Sequence, residues 1–153
     1  MCRVAQAPCG APVTLAAIVV VALRIVHYTP EHRPDAIALF AAEMWPSYTR
    51  DPARTCEALR APGVTSLVAL EDDAVVGVVQ VQSDGVIQAH LSTLVVAPAH
   101  RRRGIGRGLL AEALRAAGGE RMDLLSIADD FYASMTNRRF SGWRLTRADL
   151  GVQ

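Results

Sequence analysis

A stretch rich in glycine and arginine in the second half of the chain has the residue types needed to bind a phosphate group. It reads Val-Ala-Pro-Ala-His-Arg-Arg-Arg-Gly-Ile-Gly-Arg-Gly over residues 96–108. Glycines let the backbone approach a ligand closely, and free amides at the start of a helix attract anions with the help of the helix dipole. The stretch therefore predicts a phosphate cradle made of main-chain N–H groups.

The order of residues excludes the two most common phosphate-binding motifs. No Gly-Lys-Ser or Gly-Lys-Thr follows, as the P-loop of nucleotide triphosphatases requires. The spacing of Gly104, Gly106 and Gly108 also differs from the dinucleotide fingerprint, which would lie earlier in the chain. A different phosphate-bearing ligand is indicated.

Hydrophobic periodicity predicts the elements that precede this stretch. We predict a strand over residues 23–28, helices over 34–43 and 51–60, and strands over 65–70, 74–82 and 86–96. Short turn sequences separate the last three strands, which should therefore form an antiparallel meander.

The stretch itself leads into a predicted helix. Apolar residues recur at helical spacing from Ile105 to Ala117, and two glycines follow. A further strand is predicted over 122–127, so residues 86–127 should form a strand-helix-strand unit with parallel strands and a right-handed crossover. The fold class is α/β, with a mixed sheet and flanking helices.

The pattern Val96-x-Pro98-x-x-Arg101-x-x-Gly104-x-Gly106 resembles the acyl-CoA signature of the GNAT superfamily of N-acetyltransferases. The order of the predicted elements is also similar to that fold over residues 23–145. The resemblance implies a central, mostly antiparallel mixed sheet and a strand-helix-strand unit that binds CoA. It implies an acyltransferase with acetyl-CoA as cosubstrate and an amine of a small molecule or protein as acceptor.

The resemblance also implies roles for individual residues of the signature. The strand before the loop would offer backbone groups to the pantetheine arm and the thioester carbonyl. The loop amides would surround the pyrophosphate, and arginine side chains would pair with CoA phosphates. The predicted cofactor-binding residues are Leu94, Val95, Val96, Arg101, Arg102, Arg103, Gly104, Ile105, Gly106 and Arg107.

A second similar element is Asp-Asp-Phe-Tyr at residues 129–132. In many members of the superfamily an aromatic pair begins a helix here, and the tyrosine hydroxyl lies near the CoA sulfur. The resemblance therefore implies Tyr132 as the catalytic acid. The sequence departs from the pattern at Asp129 and Asp130, where many relatives carry an asparagine.

The sequence does not identify which residue acts as the general base. Many relatives carry an acidic residue on the signature strand where this chain has Thr93. His90 and Glu43 are candidates by residue type and approximate placement. Trp45, Pro46 and Tyr48 lie where the superfamily builds its acceptor pocket, and they could equally cap the core.

Length, charge and cysteine usage limit the other function classes. The chain has 153 residues, enough for one domain, and a net charge of +1, which gives no general reason to expect nucleic acid or a membrane as partner. The three cysteines and four histidines lack zinc-site spacing, so we expect reduced thiols, no metal and a cytoplasmic location. A homodimer is left open beside a monomer.

An apolar run over residues 13–23 raises the question of targeting. It is too short to span a bilayer, and no clear basic segment precedes it. The run either extends the first strand or belongs to an early extension. We predict that residues 1–22 are an N-terminal extension and that residues 23–153 form the domain.

Two other function classes remain alternatives at this stage. A non-catalytic acyl-CoA-binding or sensor module would account for the missing base. A nucleic-acid-binding domain could use the arginines at 101–107, but the near-neutral charge and the lack of interleaved aromatic residues disfavour it.

Overall fold

The sheet has five strands in the computed structural model, which describes residues 22–126 and 129–151. The strands run in spatial order β1 to β5; the first three pairs are antiparallel, and β4 and β5 are parallel. This confirms the predicted mixed, mostly antiparallel sheet with its meander. The strands are β1 (Arg24–His27), β2 (Val64–Glu71), β3 (Ala74–Ser83), β4 (Gln88–Val96) and β5 (Arg121–Leu124).

Helices cover both faces of the sheet. The Asp51 carboxylate caps α3 by accepting hydrogen bonds from the backbone N–H groups of Ala53 and Arg54, both at 3.1 Å. Gly118 ends α4 in the left-handed conformation that favours glycine, with φ 78°. The helices are α1 (Arg33–Ala42), α2 (Pro46–Thr49), α3 (Pro52–Ala58), α4 (Ile105–Ala117) and α5 (Asp129–Ala133). Periodicity does not predict α2, because four residues make little more than one turn.

Two apolar clusters hold the layers together, one on each face of the sheet. Phe40 of α1 and Leu59, which directly follows α3, are buried against Val68 and Val78. On the other face, the buried side of α4 packs against a second group of strand residues. This second cluster includes Leu67, Val79 and Val81 of the strands and Ile105, Leu109 and Ala113 of α4.

A bulge in β4 decides which of its side chains face which cluster. Gln80 pairs with Thr93 and Val81 pairs with Leu91, so Ser92 is an extra residue in the strand. Leu91 packs in the α4 cluster, whereas Val95 packs with α1 and α3. In a regular strand, residues four apart would lie on the same face.

The strand β4 begins two residues later than predicted. The Asp84 carboxylate accepts hydrogen bonds from the N–H groups of Val86, Ile87 and Gln88 at 2.8, 2.8 and 3.1 Å. These bonds form a turn that uses the donors of residues 86 and 87, and they lower the pKa of Asp84. At the other end of the unit, β5 stops at Leu124, and predicted strand residue Ile127 lies outside the described residues.

The segment that follows α5 has no regular secondary structure where the structure describes it. Residues 134–151 form neither helix nor strand, and Phe140 and Trp143 in this segment are exposed. Most of the apolar run at 13–23 lies outside the described residues, so the domain division at Leu23 stays a prediction. None of the helices in the described ranges has the length and apolar character needed to cross a membrane.

Candidate active site

An opening between β4 and β5 lies next to the start of α4. The two strands pair only from Gln88 with Arg121 to Leu91 with Leu124, while β4 continues to Val96. The N–H of Ala97 donates to the carbonyl of Val76 at 2.9 Å, on the β3 side. Because backbone groups alternate along a strand, those of Leu94 and Val96 point away from β3 into the opening. No described residue pairs with them as a strand there.

The loop that follows β4 presents a row of backbone donors. Arg102 and Gly104 have left-handed φ values of 64° and 83°, which curve the chain, and α4 begins without a side-chain cap. The first helical bond runs from the N–H of Gly108 to the carbonyl of Gly104 at 3.0 Å. Within the described parts of the chain, no N–H from residue 102 to residue 107 has a protein acceptor. Such a concave run of free amides at a helix start suits an anion.

Three of the four arginine side chains near this loop contact protein groups. Arg101 donates to the Val96 carbonyl at 2.9 Å and to the Glu43 carboxylate at 2.5 Å. Arg103 binds both carboxylate oxygens of Glu71. Arg107 donates to the carbonyl and hydroxyl of Ser134 at 2.6 and 3.0 Å. The pairing of these side chains with CoA phosphates stays a prediction.

Gly106 has a packing role that the motif does not reveal. A Cβ at this position would lie 3.1 Å from Cζ of Phe131 and 3.9 Å from Cδ2 of Leu94. The ring of Phe131 in α5 thus lies against the backbone of α4, beside the side chain of Leu94. This contact holds α5 at the mouth of the opening.

Tyr132 follows Phe131 in α5 and is half-buried against the α4 cluster. Its ring makes an edge contact with the Phe131 ring, with centroids 4.9 Å apart. Burial raises the pKa of the Tyr132 hydroxyl. The hydroxyl is therefore protonated at neutral pH, as a proton donor must be, and its catalytic role stays a prediction.

The base candidates have different surroundings. His90 lies six residues before Val96, which is about 20 Å along the strand at about 3.3 Å per residue, and it is exposed in a shallow cleft with Gly63 and Gln82. Glu43 is paired with Arg101 at the end of α1. Neither arrangement identifies the base.

The residues predicted to form the acceptor pocket divide between the core and the surface. The ring of Tyr48 stacks on Phe40 with centroids 4.6 Å apart, and Trp45 stacks on Phe40 at 5.9 Å. Trp45 and Pro46 line an open cleft of about 320 Å³ with Met44. Trp45 is therefore part of the core and also reaches the surface of the cleft.

The hydroxyl of Tyr48 is directed inward and belongs to a polar network in the core. It hydrogen-bonds Thr93 Oγ1 and donates to Gln80 Oε1 at 3.3 Å. Gln80 Nε2 in turn donates to the Ala58 carbonyl at 3.0 Å. Thr93 and Gln80 are 2% and 5% exposed, so the network ties α2 and α3 to β4 beside the bulge. Sequence reasoning missed Gln80, although a glutamine between Val79 and Val81 in a valine-rich strand was the available signal.

The profile of the Acetyltransferase (GNAT) family matches residues 27–138. The chain belongs to the GNAT acetyltransferase family. It is therefore an acetyltransferase, of a family that uses acetyl-CoA, and the predicted relationship is confirmed. A search of curated protein sequences finds no significant match.

Solved structures with the same fold include acetyltransferases with different named acceptors. Aminoglycoside N-acetyltransferase AAC(6')-Iy in complex with CoA has 18% identity and a TM-score of 0.65, and the alignment covers 85% of this chain and 99% of that one. Ribosomal-protein-alanine N-acetyltransferase from Brucella melitensis has 18% identity, a TM-score of 0.65 and coverages of 82% and 99%. A GNAT family protein from Streptococcus pneumoniae has 22% identity, a TM-score of 0.62 and coverages of 84% and 99%. At these identities the likeness shows the fold.

Proposed function

We propose that this acetyltransferase binds acetyl-CoA along the opening between β4 and β5 and transfers the acetyl group to an amine by direct attack. The observation that carries the proposal is the row of unpaired backbone N–H groups in the loop, which lies next to backbone groups of β4 that no described strand pairs with. Donors on residues 102–107 suit the pyrophosphate, and the β4 groups at Leu94 and Val96 suit the amide-bearing pantetheine arm.

The chain's own groups would perform the transfer in the following way. As the neutral amine forms its new C–N bond at the thioester carbonyl, the N–H of Leu94 or Val96 stabilises the developing negative charge on the carbonyl oxygen. When the C–S bond breaks, the electron pair leaves with the sulfur, and Tyr132 supplies the proton that makes the free thiol. The proton lost by the amine passes to solvent or to a base that is not assigned. Orientation of the two reactants contributes much of the rate.

The acceptor is proposed as an amine, without a narrower class. Two structural neighbours are named for an aminoglycoside and for a ribosomal-protein alanine, and both acceptors present amino groups. The cleft at Trp45 and Pro46, on the surface next to α2, is the proposed entry for the acceptor. A cytoplasmic location and a homodimer stay predictions.

An acyl-CoA sensor without catalysis is the second candidate function. It is favoured by the surroundings of Thr93, which stands where many relatives have an acidic residue, and of Glu43, one of the two base candidates. Thr93 is buried and hydrogen-bonded to Tyr48, and Glu43 is paired with Arg101. A protein with only these groups would bind the cosubstrate and leave the amine protonated.

Release of free CoA thiol from acetyl-CoA, measured against a panel of amines, tests the proposal. The panel contains neamine, spermidine, a peptide with N-terminal alanine and a peptide with internal lysine, and calorimetry with CoA is run in parallel. We expect binding of CoA and release of thiol with at least one amine class. Binding without release from any amine would favour the sensor, and the absence of CoA binding would reject the assigned site.

A further inference from the structure

A glutamate outside the signature holds two residues of the phosphate loop. Glu71 is the last residue of β2, and its side chain is 13% exposed. One carboxylate oxygen is 2.8 Å from Nε2 of His100, and both oxygens bind the guanidinium of Arg103. The loop is thereby tied to the end of β2, which is distant from it in sequence.

We propose that Glu71 is a positioning residue, which holds Arg103 so that the backbone amides of the loop are arranged for the CoA pyrophosphate. The inference rests on the proposed function, because it assigns the phosphates to this loop. It also changes the role of Arg103, whose side chain then orients the backbone and does not itself bind phosphate.

The backbone of the loop needs such support. Arg103 lies between Arg102 and Gly104, which both have left-handed φ values. For a residue with a Cβ, such as Arg102, the left-handed conformation costs about 1 kcal/mol and persists only where the surroundings hold it. On one side of Arg102, the bonds from Arg101 to Val96 and Glu43 fix the chain. On the other side of Arg102, the ion pair between Arg103 and Glu71 fixes the chain.

Because Glu71 is negatively charged, the direction in which CoA affinity changes when this charge is removed tests the proposal. The hydrogen bond from Arg103 is the main cause that holds the pKa of Glu71 below its ordinary value, so the carboxylate is ionised at neutral pH. A negative charge near a pyrophosphate site repels the ligand, and removing it should strengthen CoA binding if repulsion dominates. If positioning dominates, removing it should weaken CoA binding.

The experiment compares Glu71→Gln with the unmutated chain. We expect CoA binding, measured by calorimetry, to weaken about tenfold, as for the loss of one charge-assisted hydrogen bond. The KM for acetyl-CoA should rise by the same factor, with kcat unchanged at saturation. S-acetylpantetheine lacks the pyrophosphate and the nucleotide, so kcat/KM for this donor should be the same in both proteins.

Two further variants separate positioning from other effects. Glu57→Gln removes an equal charge from an exposed position on α3 and should leave CoA binding unchanged. In an Arg103→Met background, Glu71→Gln should have little further effect, because the side chain that Glu71 holds is gone. If Glu71→Gln alone does not fold, Arg103→Lys takes its place, because a lysine can still pair with phosphate but cannot bind both oxygens of Glu71. Arg103→Lys should weaken CoA binding and spare S-acetylpantetheine turnover, and unchanged CoA binding would contradict the proposal.

Three results would overturn the role of Glu71. The first is equal or tighter CoA binding by folded Glu71→Gln, which would show that Glu71 does not support the phosphate site. The second is an equal loss with acetyl-CoA and S-acetylpantetheine, which would indicate a general effect on the fold. Failure of the unmutated chain to bind CoA would reject the proposed function itself, together with the inference that rests on it.

Discussion

The two sides of β4 are built from different kinds of chemical group. On the side of the β4–β5 opening, the groups that face outward are main-chain donors at residues 102–107 and the backbone of Leu94 and Val96. On the side of α1 to α3, aromatic rings and a buried network through Tyr48 fill the space. The proposed cofactor side is therefore an open surface of backbone, and the proposed acceptor side is largely packed core.

This difference indicates how each side tolerates change. A site made of amides depends on backbone conformation, so it is sensitive to glycine positions and to the side chains that hold the loop. A site made of packed side chains can change its surface residues while its buried network is kept. We expect substitutions on the cofactor side to affect binding and those on the acceptor side to affect stability first.

The largest effect is expected from Gly106→Val. The branched side chain would enter the space between Phe131 and Leu94 and block the approach of the pyrophosphate. CoA affinity should fall more than about a hundredfold, as for the loss of at least two charge-assisted hydrogen bonds. Calorimetry on the folded variant measures the affinity. Gly108→Ala is the control, because a Cβ at this position would lie 3.3 Å from the side chain of Ile25 in β1, away from Phe131 and Leu94. Unchanged affinity would refute the assignment of the loop.

The next effect is expected from Tyr132→Phe. The change removes only the hydroxyl and keeps the ring that packs against the α4 cluster. Turnover should fall on the order of a hundredfold, the usual range for loss of a general acid, while CoA affinity and thermal stability stay near those of the parent. Steady-state kinetics and a melting curve test this. Lower stability with unchanged turnover would instead make Tyr132 a structural aromatic.

A smaller effect, on stability, is expected from Tyr48→Phe. Thr93 Oγ1 would lose its partner inside the core, which should lower the free energy of unfolding by about 1–3 kcal/mol, with CoA affinity unchanged. Denaturant titration measures the loss. The double variant with Thr93→Val should recover part of it, because the Thr93 hydroxyl is then absent while Gln80 Oε1 still lacks the donor that Tyr48 supplied. Weaker CoA binding in the single variant would contradict the separation of the two sides.

The smallest effect is expected when residues 1–22 are removed. If these residues are an extension, a chain that starts at Leu23 should keep the melting temperature and CoA affinity of the full chain. β1, which begins at Arg24, keeps its pairing with β2 over all four of its residues. Aggregation or loss of binding would show that the apolar run at 13–23 belongs to the sheet or to a subunit interface.

Local residue patterns were sufficient to predict the order of elements and the run of free backbone amides after β4. Alternation and helical spacing predicted five strands and the helices α1, α3 and α4, because burial of one face imposes a period on the sequence. The glycines of the loop were informative because a backbone site requires them at particular positions. The family match confirms the relationship that these patterns indicated.

The sequence by itself determined the family, the mixed sheet and the loop after β4, since each follows from residues that are close in the chain. Only the tertiary structure decided the bulge at Ser92, the inward direction of Tyr48 and the attachment of Arg103 to Glu71. Each of these joins residues distant in sequence, or changes the face on which a side chain lies without changing its type. Periodicity carries no information about such contacts, because they depend on which surfaces meet when the helices pack on the sheet.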